Sequence, residues 1–216
     1  MRDIDLNTWP RRAHFDFFRA YPQPHFGVTA ELEIGALLAA LRARGLPFML
    51  SVSYLLTRAA QEVTPFRWRI RGEGAGLRVV EHDVLDPSVT VALPEGDLFG
   101  FCTLPYTPDF AAFLTGAREA VALAQAQPTL EDAPGRDDLL FLSSLPWLSF
   151  SSVTHAQPSP PDCIPRLTTG KYRPREGGTW MPLDVQVHHA LMDGRHLGLY
   201  FEAVQALMDQ PESWLE

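Results

Sequence analysis

The chain has 216 residues, 46% of them hydrophobic and 11% aromatic, with 18 cations against 26 carboxylates and a formal net charge of −8 at pH 7. The length fits one ordinary domain, the apolar content supplies the core that a disordered chain lacks, and the acidic balance repels a polyphosphate backbone. Nucleic acid is therefore not an expected partner. No apolar run reaches the roughly 18 residues of a membrane span, and the opening MRDIDLNTWPRRAHF carries charges where a signal peptide needs its apolar stretch. A soluble, cytoplasmic protein with no membrane partner is expected. Cys102 and Cys163 are the two cysteines, too few for a disulfide scaffold or a thiolate zinc cluster.

In chain order, ALLAALRARG (36–45) and SVSYLLTRAAQEV (51–63) read as short helices, the first stopped by Gly45 at a C-cap position. FRWRIR and LRVVEH flank the turn GEGAG (72–76) as a hairpin, and VTVAL follows as a strand. TPDFAAFLTGAREAVALAQ (107–125) has a Thr-Pro start and helical periodicity. DLLFLSS and WLSFSS read as two short strands broken at Leu145 and Pro146. The stretches 127–138 and 156–165, rich in proline and small or acidic residues, read as surface loops. In TWMPLDVQVHHA, Met181, Leu183, Val185, Val187 and His189 share one strand face, while Trp180, Pro182, Asp184, Gln186 and His188 share the other. Asp193 and Gly194 then turn the chain into an amphipathic last helix carrying Leu197, Tyr200, Phe201, Val204, Leu207 and Met208. No repeat, low-complexity block or flexible linker divides the chain, so a single domain over 1–216 is expected.

A strand end that delivers His189 into apolar surroundings, with Asp193 four residues on, fits a base beside an organising charge. It equally fits a hydrogen-bonded core histidine. A metal site at His189, Asp193 and His196 would require one continuous helix, which the strand alternation and Gly194 oppose; no metal is expected. Cys102 reads as a small buried filler with no base beside it, and GEGAG, flanked by two strands, lacks the spacing of a phosphate loop.

HHALMDG together with WPRRAHFDFF, LPYTPD, SSLPWLSF and TTGKY, in this order along nearly the whole chain, resembles chloramphenicol acetyltransferase of the trimeric type. The resemblance implies an α/β fold with a mixed, largely antiparallel sheet flanked by helices, the CoA-dependent acyltransferase fold. It implies acetyl (or short acyl) transfer from acyl-CoA, as co-substrate and not bound cofactor, to the hydroxyl of a small-molecule alcohol in a ternary complex. By the same resemblance His189 is the general base, Asp193 is structural and pairs with Arg11, Ser143 stabilises the oxyanion, and Thr168 holds a water near it. Lys171 and Tyr172 match coenzyme contacts, Phe18, Phe26 and Phe99 match acceptor-pocket positions, and the assembly is a homotrimer with interfacial active sites. Lys171 is the only lysine of the chain, the other cations all being arginine.

Departures concern both substrates. Glu131, His155 and Asp162 bring polarity to the expected acceptor pocket, so chloramphenicol itself is expected to be a poor substrate. A coenzyme-side lysine of the family falls near Pro47 and a tyrosine near Met49. Two alternatives accompany the main reading. The acyltransferase core of a 2-oxo acid dehydrogenase shares the histidine motif but is expected to carry a lipoyl domain and a Pro/Ala-rich linker. A catalytically silent trimeric binding protein of the same fold would have no need of Arg11, Ser143, Thr168, His189 and Asp193 together.

Overall fold

The computed structural model describes residues 1–94, 96–131 and 135–215. The chain runs β1 (Arg2–Ile4), α1 (Arg12–Phe18), β2 (His25–Glu33), α2 (Gly35–Arg44), α3 (Phe48–Glu62), β3 (Trp68–Arg71), β4 (Arg78–Glu81), β5 (Asp86–Ala92) and β6 (Phe99–Thr103). It continues through α4 (Phe110–Ala126), β7 (Leu139–Leu145), β8 (Arg166–Gly170), β9 (Arg173–Arg175), β10 (Gly178–His188) and α5 (Gly194–Asp209).

The main sheet has the order β2-β10-β8-β7-β5-β6, with β9 paired to β10. Its β5–β7 and β7–β8 pairings are parallel and the others antiparallel. This is the mixed, largely antiparallel sheet expected. The helices α3, α4 and α5 pack on one face, where Met181, Leu183, Val185 and Val187 are completely buried with Leu55, Phe113 and Tyr200. Burying side chains of this size contributes about 1.5–3 kcal/mol each, which fixes the β10 register through its odd-numbered residues. The even-numbered Asp184, Gln186 and His188 are buried on the other face, which is the face that carries the chemistry.

A second sheet, β1-β4-β3, contains the expected hairpin. Arg69 ties it to the large sheet: fully buried, it donates to the carbonyls of Asp137 (2.5 Å) and Leu139 (2.6 Å) at the start of β7. Gly45 ends α2 at φ +63, a left-handed C-cap that glycine adopts without a Cβ penalty.

Some elements differ from the sequence reading. WLSFSS is not a strand. Leu148 N–H closes a turn on the Leu145 carbonyl (3.1 Å), and the segment then lies over the end of β8, where Lys171 N–H donates to Leu148 O (2.6 Å). Gly170 permits that approach, since a Cβ there would stand 2.8 Å from Phe150 and 2.9 Å from the Leu148 carbonyl. The helix read from 51 begins at Phe48, and the one read from 107 begins at Phe110 with Asp109 as its N-cap, accepting from Ala112 N–H at 2.7 Å. In the two loop stretches, 156–165 ends in the buried Cys163–Pro165, while residues 132–134 of the other lie outside the described residues.

Candidate active site

β10 ends at His188, one residue short of the expected histidine, and His189 opens the turn into α5. Its Nδ1 lies 2.9 Å from the Met192 carbonyl. A carbonyl can only accept, so Nδ1 carries a proton, and of the two neutral tautomers this selects the one with its lone pair on Nε2, which a general base needs. Phe18 stacks on the imidazole (centroids 3.7 Å, 15° between planes) and Phe26 tilts against it at 4.5 Å. The ring thus stands between two of the three phenylalanines named from the sequence.

Arg11 holds the turn. Its guanidinium donates to Asp193 Oδ2 (2.6 Å), the His189 carbonyl (2.9 Å) and the Ala190 carbonyl (3.0 Å), and its side chain is 10% exposed. Asp193 is also the N-cap of α5, accepting from Arg195 N–H (3.1 Å) in a capping box with His196. Burial would raise the Asp193 carboxyl, but the Arg11 hydrogen bond and the charge of His196 outweigh it and hold the group below its ordinary value. His189, Asp193 and His196 share no helix face, because α5 begins after Asp193. Among the described residues no three His, Cys, Asp or Glu side chains converge as metal ligands.

Ser143 and Thr168 are direct partners across β7 and β8, and Thr168 is opposite Asp184 on β10, which is opposite Thr29 on β2. Directly opposed residues point to the same face, so Thr29, Asp184, Thr168 and Ser143 form one polar row across four strands. Thr168 Oγ1 is 2.9 Å from His155 Nε2, whose ring burial keeps below its ordinary pKa and therefore neutral at pH 7. Next to this row a cavity of about 290 Å³ is lined by Ser143, His155, Phe101, Phe141, Asp162 and Arg166.

Two acidic residues named from the sequence behave differently there. Asp162 lines the cavity, yet it is no unpaired carboxylate: Arg166 reaches both its oxygens at 2.9 and 2.6 Å. Glu131 is exposed and is not part of this lining. Phe99, half exposed, begins the edge strand β6 against Phe101 and is not brought to Phe18 and Phe26 within the chain. Phe101, Phe141 and Arg166 were missed by the sequence reading; only the alternation of β6 and β7 could have signalled the two phenylalanines.

The two halves of the site lie apart. β10 runs four residues, roughly 14 Å at about 3.4 Å per residue, from Asp184 in the Thr168–Ser143 row to His188, and His189 lies beyond that end. Lys171 and Tyr172 leave β8 on the opposite side of that row from His189. Lys171 is exposed, and Tyr172 packs at 5.6 Å from Phe48.

Residues 1–205 match the family model described as chloramphenicol acetyltransferase. Chloramphenicol acetyltransferase 2 of Escherichia coli is 32% identical over 208 residues, covering 95% of this chain and 96% of that protein. A solved chloramphenicol acetyltransferase superposes with a TM-score of 0.83 at 32% identity, covering 96% of this chain and all of the other. A truncated catalytic core of the 2-oxoacid dehydrogenase complex from Thermoplasma acidophilum shares the fold at TM-score 0.68 and 15% identity, covering 94% and 95% of the two chains. An oriented imidazole, a serine in a polar row and near-complete coverage by sequence and structure converge on one conclusion: the chain belongs to the chloramphenicol acetyltransferase family, the CoA-dependent O-acetyltransferases.

Proposed function

We propose that this acetyltransferase carries out a direct, ternary-complex transfer from acetyl-CoA to the hydroxyl of a small alcohol, with His189 of one protomer acting on substrates held at Ser143 of its neighbour in a homotrimer of single-domain chains. The separation of His189 from Ser143, with roughly 14 Å of β10 between the Ser143 row and the strand end that His189 follows, carries this reading. A base and an oxyanion donor must both lie within about 3 Å of the reacting atoms, which one chain alone does not achieve. Exposed apolar side chains support the assembly: Phe17 is 58% exposed beside the His189 turn, and Trp147 76% beyond Ser143.

In the reaction, His189 Nε2 takes the hydroxyl proton as the oxygen attacks the thioester carbonyl. The Ser143 hydroxyl donates to the tetrahedral oxyanion, and collapse expels CoA thiolate, which recovers the proton from the imidazolium. The base is worth about 10²–10⁴ in rate and the oxyanion donor about 2.7–4 kcal/mol. Lys171 and Tyr172 meet the coenzyme on the side of the row away from the same chain's His189, aided by the local charge of Arg173 and Arg175, both of which sit beside Glu31. Thr168, whose hydroxyl already meets His155, steadies the pocket wall beside the oxyanion. The protein works in the cytoplasm, a setting supported by its two free, buried thiols and by the absence, among the described residues, of a helix long and apolar enough to cross a membrane.

Mixed assembly tests the reading. Ser143→Ala and His189→Ala chains are each inactive alone, but random co-assembly in a ring gives about one site in four an intact pair, so roughly a quarter of native CoA-thiol release returns. No recovery in co-refolded mixtures that form hybrid trimers would show that each site is built within one chain.

A further inference from the structure

Next to the Ser143 cavity lies a larger one of about 800 Å³, lined by His25, Thr29, His155, Gln157, Asp184 and Gln186 among others. His155 and Pro158 belong to both linings, so the two cavities meet across them. Among the described residues, His25 Nδ1, His25 Nε2, Gln157 Oε1 and Asp184 Oδ2 are buried polar atoms with no hydrogen-bond partner, and all belong to this lining. Buried polar groups are ordinarily satisfied, so orphans gathered around one space call for a polar occupant there.

Asp184 is 2% exposed and is, among the described residues, the only charged side chain of the lining. Thr29 Oγ1 donates to its Oδ1 at 2.6 Å, which leaves Oδ2 facing the cavity. The nearby Arg166 is already matched by Asp162 through both carboxylate oxygens. Burial raises the Asp184 carboxyl despite the Thr29 hydrogen bond, the penalty a cationic occupant would relieve. Asp184 and Ser143 are two strands apart on one row, about 10 Å between Cα atoms.

We infer that this cavity is the distal half of the acceptor site and that the acceptor is an amino alcohol, its ammonium held by Asp184 while its hydroxyl reacts beside Ser143. This deepens, and rests on, the acetyl-transfer reading above. Gln157 Oε1 supplies a second acceptor for the N–H groups, and neutral His155 stands between the two ends as a polar wall. A partner copy filling the same space is the competing occupant.

The test compares 6-(dimethylamino)hexan-1-ol with its uncharged carbon isostere 7-methyloctan-1-ol, a pair whose extended length suits that separation and whose tertiary amine forms no stable amide. The native protein should favour the amine at least about tenfold in kcat/KM, read as CoA-thiol release, and Asp184→Asn should bring the ratio near unity. Calorimetric titration of the amine into native protein and Asp184→Asn reads binding without turnover, and affinity should fall in the variant by a similar factor. Equal use of both alcohols would overturn the inference and leave acetyl transfer standing. Absence of calorimetric binding overturns it whether or not any alcohol is acetylated. A variant that keeps the native ratio but loses its assembly would assign the cavity to the partner copy.

Discussion

Asp193 orders His189 without touching its ring. Its carboxylate meets Arg11 at 2.6 Å, Arg11 donates to the His189 carbonyl at 2.9 Å, and the imidazole itself is held by the Met192 carbonyl. The tautomer is thus set by backbone, and the carboxylate acts on the turn that carries the histidine.

From this division of labour, Asp193→Ala should lose the helix cap, worth about 0.5–2 kcal/mol, and the ion pair, whose contribution is reduced because the Asp193 side chain is 36% exposed. Arg11 keeps two carbonyl partners, so the 3–5 kcal/mol of a stranded buried charge is not reached. Melting temperature and kcat should fall together, and Asp193→Asn should restore most of the stability. A native melting temperature with abolished turnover would instead mean that Asp193 meets the reacting atoms.

His189→Ala should lower kcat by at least about a hundredfold, because the base disappears while Phe18 and Phe26 remain. The half-buried ring contributes little to the core, so circular dichroism and assembly should stay native. Turnover within a few-fold of native would exclude the imidazole as base.

The parts of this site that could be read from the sequence are those written in local periodicity or in an ordered motif. The alternation from Met181 to Val187 and the Asp193–Gly194 break give β10, its buried face and the start of α5 directly. WLSFSS misleads because its apolar residues cover the end of β8 instead of joining a ladder, a tertiary demand with no local period. The alignment of Asp184 with Thr168 and Ser143 depends on strand register between distant segments. Spacing along the chain does not encode that register.

Acid should destabilise the fold in a defined window. Burial, helped by Arg166 for His25 and by His25 itself for His188, lowers these two rings from 6.5 to about 4, and they meet edge to face at 5.2 Å with the Asp162 carboxylate nearby. Between those values the unfolded chain binds protons that the folded one refuses, so stability is complete above about pH 6.5 and declines as pH falls toward 4. The limit is about 1.4 kcal/mol per pH unit for each histidine. Urea unfolding at several pH values should show this slope, and His25→Phe, which removes ring nitrogens that have no partner, should reduce it. A flat profile across the window would mean that the rings titrate normally.

Chloramphenicol should be acetylated poorly, with kcat/KM below about 10⁶ M⁻¹s⁻¹ in an enzyme range of roughly 10⁴–10⁸. The reason differs from the one the sequence offered, since Asp162 is neutralised by Arg166. What remains is a small cavity whose apolar walls, Phe101, Phe141 and Leu142, are interrupted by Ser88, Thr90, His155 and the Arg166–Asp162 pair. A neutral aromatic acceptor must desolvate these groups without replacing their hydrogen bonds, a cost of about 1–3 kcal/mol for each one left unmet. His155 is the most exposed to this argument, because it faces both cavities and meets Thr168 by a single hydrogen bond. His155→Leu should therefore raise kcat/KM for chloramphenicol about tenfold, mainly through KM, which corresponds to about 1.4 kcal/mol of recovered binding. If the variant instead loses turnover through kcat with KM unchanged, His155 acts on the transition state through Thr168 and the polar wall does not set the acceptor.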